Sequence, residues 1–271
     1  MRTAAGGQVA TGAGCWARGG GMMLRVLLPL VWLELKRYWL NPLRIVLSLA
    51  QPLMYLFILG AGLAGGTYAL DSSYQAYIYP GIVAMALMFA AASAAVGVVH
   101  DRQVGVFKAL LVSPLPRSTL ALARILSGAV LALVQSVLLL PFAPLLGLAF
   151  TPLSLLCFLL AMSLCALVFS ALGLVMALPF RSVMVFPVVS NTLTLPMFLL
   201  SGALYPLELA PRWLQLLARI NPAAYAVDLL RGVQSGHFQY GLTTAVGVLL
   251  LIGLLVIGWV VRSLHGRGGR V

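Results

Sequence analysis

The chain has 271 residues, of which 62% are hydrophobic and only 8% charged. A soluble domain carries about a quarter of its residues as charged ones, so this chain lacks the polar surface to face water and reads as a protein whose solvent is lipid. The net charge of +12 would point to nucleic acid in a soluble protein; here the position of the basic residues points to membrane orientation, and no nucleic-acid partner is expected.

Residues 1–23 are rich in Gly, Ala and Thr and lack the apolar core of a signal peptide. They read as a disordered tail, with Met22 or Met23 as an alternative start of translation. Residues 24–39 mix Leu, Val and Trp with Arg25, Glu34, Lys36 and Arg37. That pattern predicts a helix lying along the cytoplasmic interface, with Trp32, Tyr38 and Trp39 at headgroup depth.

A bilayer core about 30 Å thick takes roughly 20 apolar residues of helix, and about six uncharged stretches qualify. They run over 45–66, 76–99, 125–149, 153–180, 182–204 and 241–261. With the N-terminus inside, all of the 17 basic residues except Arg212, Arg219 and Arg231 fall on the cytoplasmic side. The positive-inside rule thus predicts both termini cytoplasmic, ending in a basic tail over 263–271; the chain is expected to be a multi-pass protein of the plasma (inner) membrane.

Several chemistries are disfavoured. The two lysines, Lys36 and Lys108, do not follow glycine, so a Walker A loop is impossible and ATP is not bound by that route. The predicted spans hold no ionisable residue of the kind a proton-coupled carrier uses. His100, His237 and His265 are not spaced as metal ligands, and Cys157 and Cys165 read as buried apolar residues. No paired carboxylates or nucleophile elbow indicate hydrolysis. No catalytic residue, metal or cofactor is therefore expected in this chain, which does not read as an enzyme.

Two loops are more organised than connectors need to be. Between the second and third stretches lies HDRQVGVFKALLVSPLPRS, residues 100–118. Val104, Phe107 and Leu111 recur at helical spacing, and Pro114 and Pro116 stop the helix. A short amphipathic helix held outside the membrane suits docking into a partner's groove. Between the fifth and sixth stretches, residues 196–233 break at Ser201-Gly202 and Tyr205-Pro206. Pro211 then suits the first turn of a new helix, with Trp213, Leu216, Leu217 and Ile220 on one face and Arg212, Gln215 and Arg219 on the other. Asn221-Pro222 ends it, and Asp228 and Arg231 follow at i, i+3. This predicts a re-entrant pair of short helices over an exit path, or an interfacial hairpin. Gln51, Gln135, Asn191 and Thr192, with Ser190 and Thr194, are polar residues inside spans. They either bond helix to helix or line a path.

At these two loops the chain resembles the ABC type-2 transporter permeases, a family of drug, polysaccharide and nodulation-factor exporters. Arg102, Gly105, Leu110, Ser113, Pro114 and Arg117 match its cytoplasmic pattern, with Asp101 where the family usually has Glu. Phe198, Leu199, Ser201, Gly202, Pro206, Pro211, Trp213, Leu214, Asn221, Pro222, Tyr225 and Arg231 match its external one. The resemblance covers residues 24–262, expected to form one transmembrane domain. It implies an all-α fold with six spans, an N-terminal interfacial helix, a cytoplasmic coupling helix and external re-entrant helices. It also implies a second permease copy, as a homodimer or with a related permease, and a separate ATPase subunit that binds ATP and Mg. Asp101, Arg102, Gly105, Phe107, Lys108, Ser113, Pro114 and Arg117 would couple to that ATPase. Ser201, Gly202, Pro206, Pro211, Trp213, Asn221, Pro222, Tyr225 and Arg231 would form an external gate. The apolar path suits an amphipathic or lipid-like substrate moved out of the cytoplasm. A membrane scaffold and an ion-coupled carrier are the alternatives.

Overall fold

The computed structural model describes residues 19–59, 74–104, 117–180 and 182–266. Among them the chain is all helical, with no strand. In chain order the helices are α1 (Gly19–Trp39), α2 (Pro42–Met54, continued by a π-helical turn Tyr55–Leu59), α3 (Tyr74–Gln103), α4 (Arg117–Val137), α5 (Pro152–Ala177), α6 (Val185–Leu199), α7 (Arg212–Ile220), α8 (Pro222–Ser235) and α9 (Leu242–Gly266). Among the described residues four helices are long and apolar enough to cross a membrane: α3, α4, α5 and α9. Ile45–Ile58 and Val185–Leu199 are apolar but shorter.

Helix α3 is the axis of the molecule. Its 30 residues span roughly 45 Å at 1.5 Å per residue, and it packs against α4, α5, α6 and α8. A helix apolar on every side belongs inside a bundle, and Ile78, Ile82, Val83, Met85 and Leu87 are fully enclosed. Small residues let its neighbours approach, as is usual where lipid supplies no hydrophobic drive between helices. A Cβ on Gly173 of α5 would stand 3.1 Å from the Ala91 carbonyl oxygen, and one on Gly128 of α4 would stand 2.5 Å from Ser170 Oγ of α5. Ser170 Oγ also donates to the Ile125 carbonyl at 2.7 Å, tying α4 to α5.

Local signals set the helix ends. Thr151 caps α5 by accepting from Ser154 N at 3.2 Å, with Pro152 in the first turn. The predicted stretch 125–149 is interrupted: α4 stops at Val137, and Pro141 and Pro144 turn the chain into 3-10 helices Leu140–Phe142 and Pro144–Leu146. Helix α1 begins at Gly19, inside the stretch expected to be a tail. Helix α9 runs to Gly266, past the expected span end. The interfacial-helix expectation needs one correction. Trp32 and Trp39 are exposed as expected, but Tyr38 is fully buried and its hydroxyl bonds Ser48 Oγ of α2 at 3.1 Å. Cys165 is buried, whereas Cys157, expected to be buried, is exposed on α5.

Helices α3, α4 and α5 alternate in direction, and α9 runs parallel to α5. The end of α1, the C-terminal ends of α3 and α5, and Val260 of α9 meet at one end of the bundle. The start of α3, the residues after α4, and α7 and α8 meet at the other.

Candidate functional site

At the first end a buried ion cluster joins three helices. Arg124 of α4 is 8% exposed. Its Nη1 lies 3.5 Å from Glu34 Oε1 of α1, and its Nη2 donates to Asp101 Oδ2 of α3. Arg37, half exposed, stands 3.9 Å from the other Asp101 oxygen. The planar fork of arginine suits bridging two carboxylates, which a lysine point charge does less well. Next to Asp101 in sequence, Arg102 Nη1 donates to the Leu178 carbonyl at 3.1 Å, just beyond α5. These contacts fix the two helices that bracket residues 105–116.

At the second end, the segment between α6 and α9 is pinned to the start of α3. Gly202 has φ +73°, a conformation that favours glycine, and Leu207 packs where its side chain would be. Arg231 of α8 reaches back across this turn. Its Nη2 donates to the Gly202 carbonyl at 3.0 Å and the Ala203 carbonyl at 3.3 Å, and its guanidinium lies 4.0 Å from the Tyr77 ring centroid. Burial lowers the Arg231 pKa, and Tyr77 and Asp228 oppose that shift. Tyr74 Oη donates to the Leu204 carbonyl at 2.7 Å, and Gln234 Nε2 to the Ala76 carbonyl at 3.2 Å. Asp228 does not pair with Arg231. Its carboxylate accepts from the backbone N–H of Gln239 at 2.6 Å and of Tyr240 at 3.0 Å, which fastens the α8–α9 turn.

The two ends define a membrane bundle, and comparison with known proteins identifies it. Residues 26–235 match the family model described as ABC-2 type transporter. The chain belongs to the ABC-2 type transporter family. Among relatives of this ABC-2 chain, nodulation protein J of Rhizobium leguminosarum bv. trifolii is 31% identical over 211 residues, covering 75% of this chain and 78% of that protein. The ycf38 protein of Cyanophora paradoxa, named as a transport permease, is 27% identical over 217 residues, covering 78% and 74%. This ABC-2 protein is accordingly a multi-pass membrane component of a transporter.

Of the residues expected to couple to an ATPase, Gly105, Phe107, Lys108, Ser113 and Pro114 lie outside the described residues, as does the Arg117 side chain. Asp101 and Arg102 are placed, and both turn toward the bundle. Among the residues of the expected external gate, Ser201 donates to the Phe198 carbonyl at 2.6 Å. Asn221 caps α8 through Ala223 N and holds the Met197 carbonyl at 2.6 Å, and Pro222 opens α8. Tyr225 Oη donates to the Arg219 carbonyl at 2.7 Å. Pro206 and Pro211 flank the 3-10 turn Leu207–Leu209, with Pro211 just before α7. Trp213, Leu216, Leu217 and Ile220 do share a face of α7, but it points outward, while Ala218 turns in.

The polar span residues do not form one site. Gln135 is buried, Gln51 is exposed on α2, and Asn191 and Thr192 sit on the exposed side of α6. Thr192 Oγ1 donates to the Val188 carbonyl at 2.8 Å, within its own helix. Among the described residues no group of side chains could hold a metal ion. Sequence reading missed the ion cluster. It placed Glu34 in the interfacial helix and Asp101 in the coupling segment, whereas folding brings both to Arg124. The available signal was that these are the two acidic residues on the strongly basic side.

Proposed function

We propose that this chain is the permease subunit of an ATP-driven exporter. A separate ATPase subunit binds ATP and Mg and rides on residues 105–116, and a second permease copy completes the path. The observation that carries this reading is the anchoring of α3. Arg124 locks the end of α3 to α1 and α4, on either side of the coupling segment, and the start of α3 is tied through Tyr74 and Tyr77 to the lid, the segment 200–235. A displacement delivered at residues 105–116 therefore has a stiff route to the far end of the bundle.

The basic end, with Glu34 and Asp101, is cytoplasmic in this reading, by the positive-inside rule. The end with Arg231 is external, and both termini are cytoplasmic, in the plasma membrane. The cargo is amphipathic or lipid-like, in keeping with the apolar composition of the helices. The turn at Gly202 and helices α7 and α8 form the external gate.

Co-purification with the candidate ATPase tests this. The wild-type permease is expected to bind the ATPase and to raise its ATP hydrolysis. Phe107→Ala is expected to cut that stimulation about thirtyfold, as loss of a groove-filling anchor costs about 2 kcal/mol. Phe107 is a cleaner probe than Arg102, whose loss also frees the Leu178 carbonyl. A wild-type protein that binds no ATPase would favour a membrane scaffold instead.

A further inference from the structure

Beside the ion cluster a cavity of about 610 Å³ opens between α1, α3 and the residues that enter α6. That is the volume of a small-molecule site. Two of its lining residues, Glu34 and Arg37, stand at i, i+3 on α1, so their Cβ atoms are about 5–6 Å apart. Each forms its ion pair sideways with another residue. Glu34 uses Oε1 for Arg124, and its other carboxylate oxygen has no partner among the described residues. Arg37 is held by Asp101 only at 3.9 Å, and its side chain is 47% exposed. The cavity therefore offers an acceptor for a cation and a donor for an anion, side by side.

The rest of the wall is shaped for a chain. Ser93, Gly97 and His100 follow one face of α3 over roughly 10 Å. Gly97 lies close against Glu34: an added Cβ would sit in ordinary contact, 3.7 Å from Glu34 Oε1. Val183 closes the other side and leads onto an exposed apolar ridge, Met184, Val185 and Val188. The same α1 exposes Trp32 and Trp39, residues that sit at headgroup depth.

We propose that this cavity binds a zwitterionic amphiphile with a primary ammonium beside a phosphate, the head chemistry of an ethanolamine phospholipid. The ammonium donates to Glu34, the phosphate accepts from Arg37 and His100, and the chain lies along Val183 and the α6 ridge. A purely anionic head would meet the Glu34 carboxylate without a partner for it. A choline head has no N–H to donate. The site rests on the exporter reading only for the side of the membrane it faces.

The test uses the full-length permease, purified in detergent and stripped of lipid. It is offered an equimolar mixture of ethanolamine, choline and glycerol phospholipids of one chain length, and the retained lipid is read by native mass spectrometry. Wild type is expected to retain the ethanolamine lipid on the order of tenfold over the other two, the scale of one charge-assisted contact. Gly97→Leu fills the cavity without removing an ion-pair partner and is expected to abolish the preference, as is Arg37→Gln. Equal retention of the three lipids by wild type, or an unchanged preference in Gly97→Leu, overturns the proposal. Adding the ATPase and ATP separates two sources of the lipid, both consistent with the site: a cargo is released on turnover, a resident lipid stays. Binding of the ATPase is scored in the same preparations, so the cavity and the exporter reading can fail independently.

Discussion

Arg124 bridges two largely buried carboxylates, and the cost of removing it follows from that. Arg124→Met would leave Glu34 and Asp101 buried together without the cation that joins them, with only the more distant Arg37 beside Asp101. Breaking a buried pair from one side costs about 3–5 kcal/mol, so the variant is expected to unfold at clearly lower temperature in detergent. The triple change Glu34→Gln, Asp101→Asn, Arg124→Met should recover most of that loss, because it removes the stranded charges. A triple variant no more stable than Arg124→Met alone would mean that the cluster matters through packing. At the other end, Arg231 stacks on Tyr77 and holds two carbonyls. Arg231→Lys keeps the charge but loses the planar fork. It is expected to loosen the turn by about 1–2 kcal/mol, read as faster hydrogen exchange over residues 200–209 and unchanged exchange in α5.

Among the elements, close helix crossings are the sensitive features. Gly128→Ala would drive a methyl into Ser170 Oγ, and overpacking of this kind costs about 1–3 kcal/mol. Adding Ser170→Ala removes the obstructing atom, though also its bond to the Ile125 carbonyl. The double variant is expected to be more stable than Gly128→Ala, a coupling that a thermal-melt cycle measures. The long apolar helices were legible in the sequence because their composition leaves few other states. The breaks after α4 were less so: Pro141 and Pro144 are tolerated in membrane helices, and whether they bend or end one depends on neighbours. Tyr38 was misread because an aromatic residue beside Trp39 fits an interface pattern, while its burial depends on where α2 folds back. The Arg124 cluster joins residues 90 and 23 positions apart, and no local pattern encodes such a meeting. The turn at Gly202 was legible because glycine and proline mark breaks by their own backbone limits.

At the scale of the whole molecule, the arrangement couples two ends through one helix. Its first end is fixed by Arg124 and its second by Tyr74, Tyr77 and the close approach of Gly81 to Ala203, where an added Cβ would stand 2.7 Å from the Ala203 Cβ. Coupling between sites is a free energy that both must feel, so damage at either end should have distinct signatures. In a complex with the ATPase proposed above, ATP is expected to change hydrogen exchange at residues 200–209 of the wild-type permease. Phe107→Ala should erase that response while leaving the resting exchange of the lid unchanged, because the contacts that hold the lid to α3 and α8 stay in place. Gly81→Val should do the reverse. It displaces the lid and raises its resting exchange, yet leaves ATPase binding intact, since the Arg124 end is untouched. If Phe107→Ala left the response at the lid undiminished, the signal would not enter through residues 105–116, and α3 would lose its place as the link between the ends.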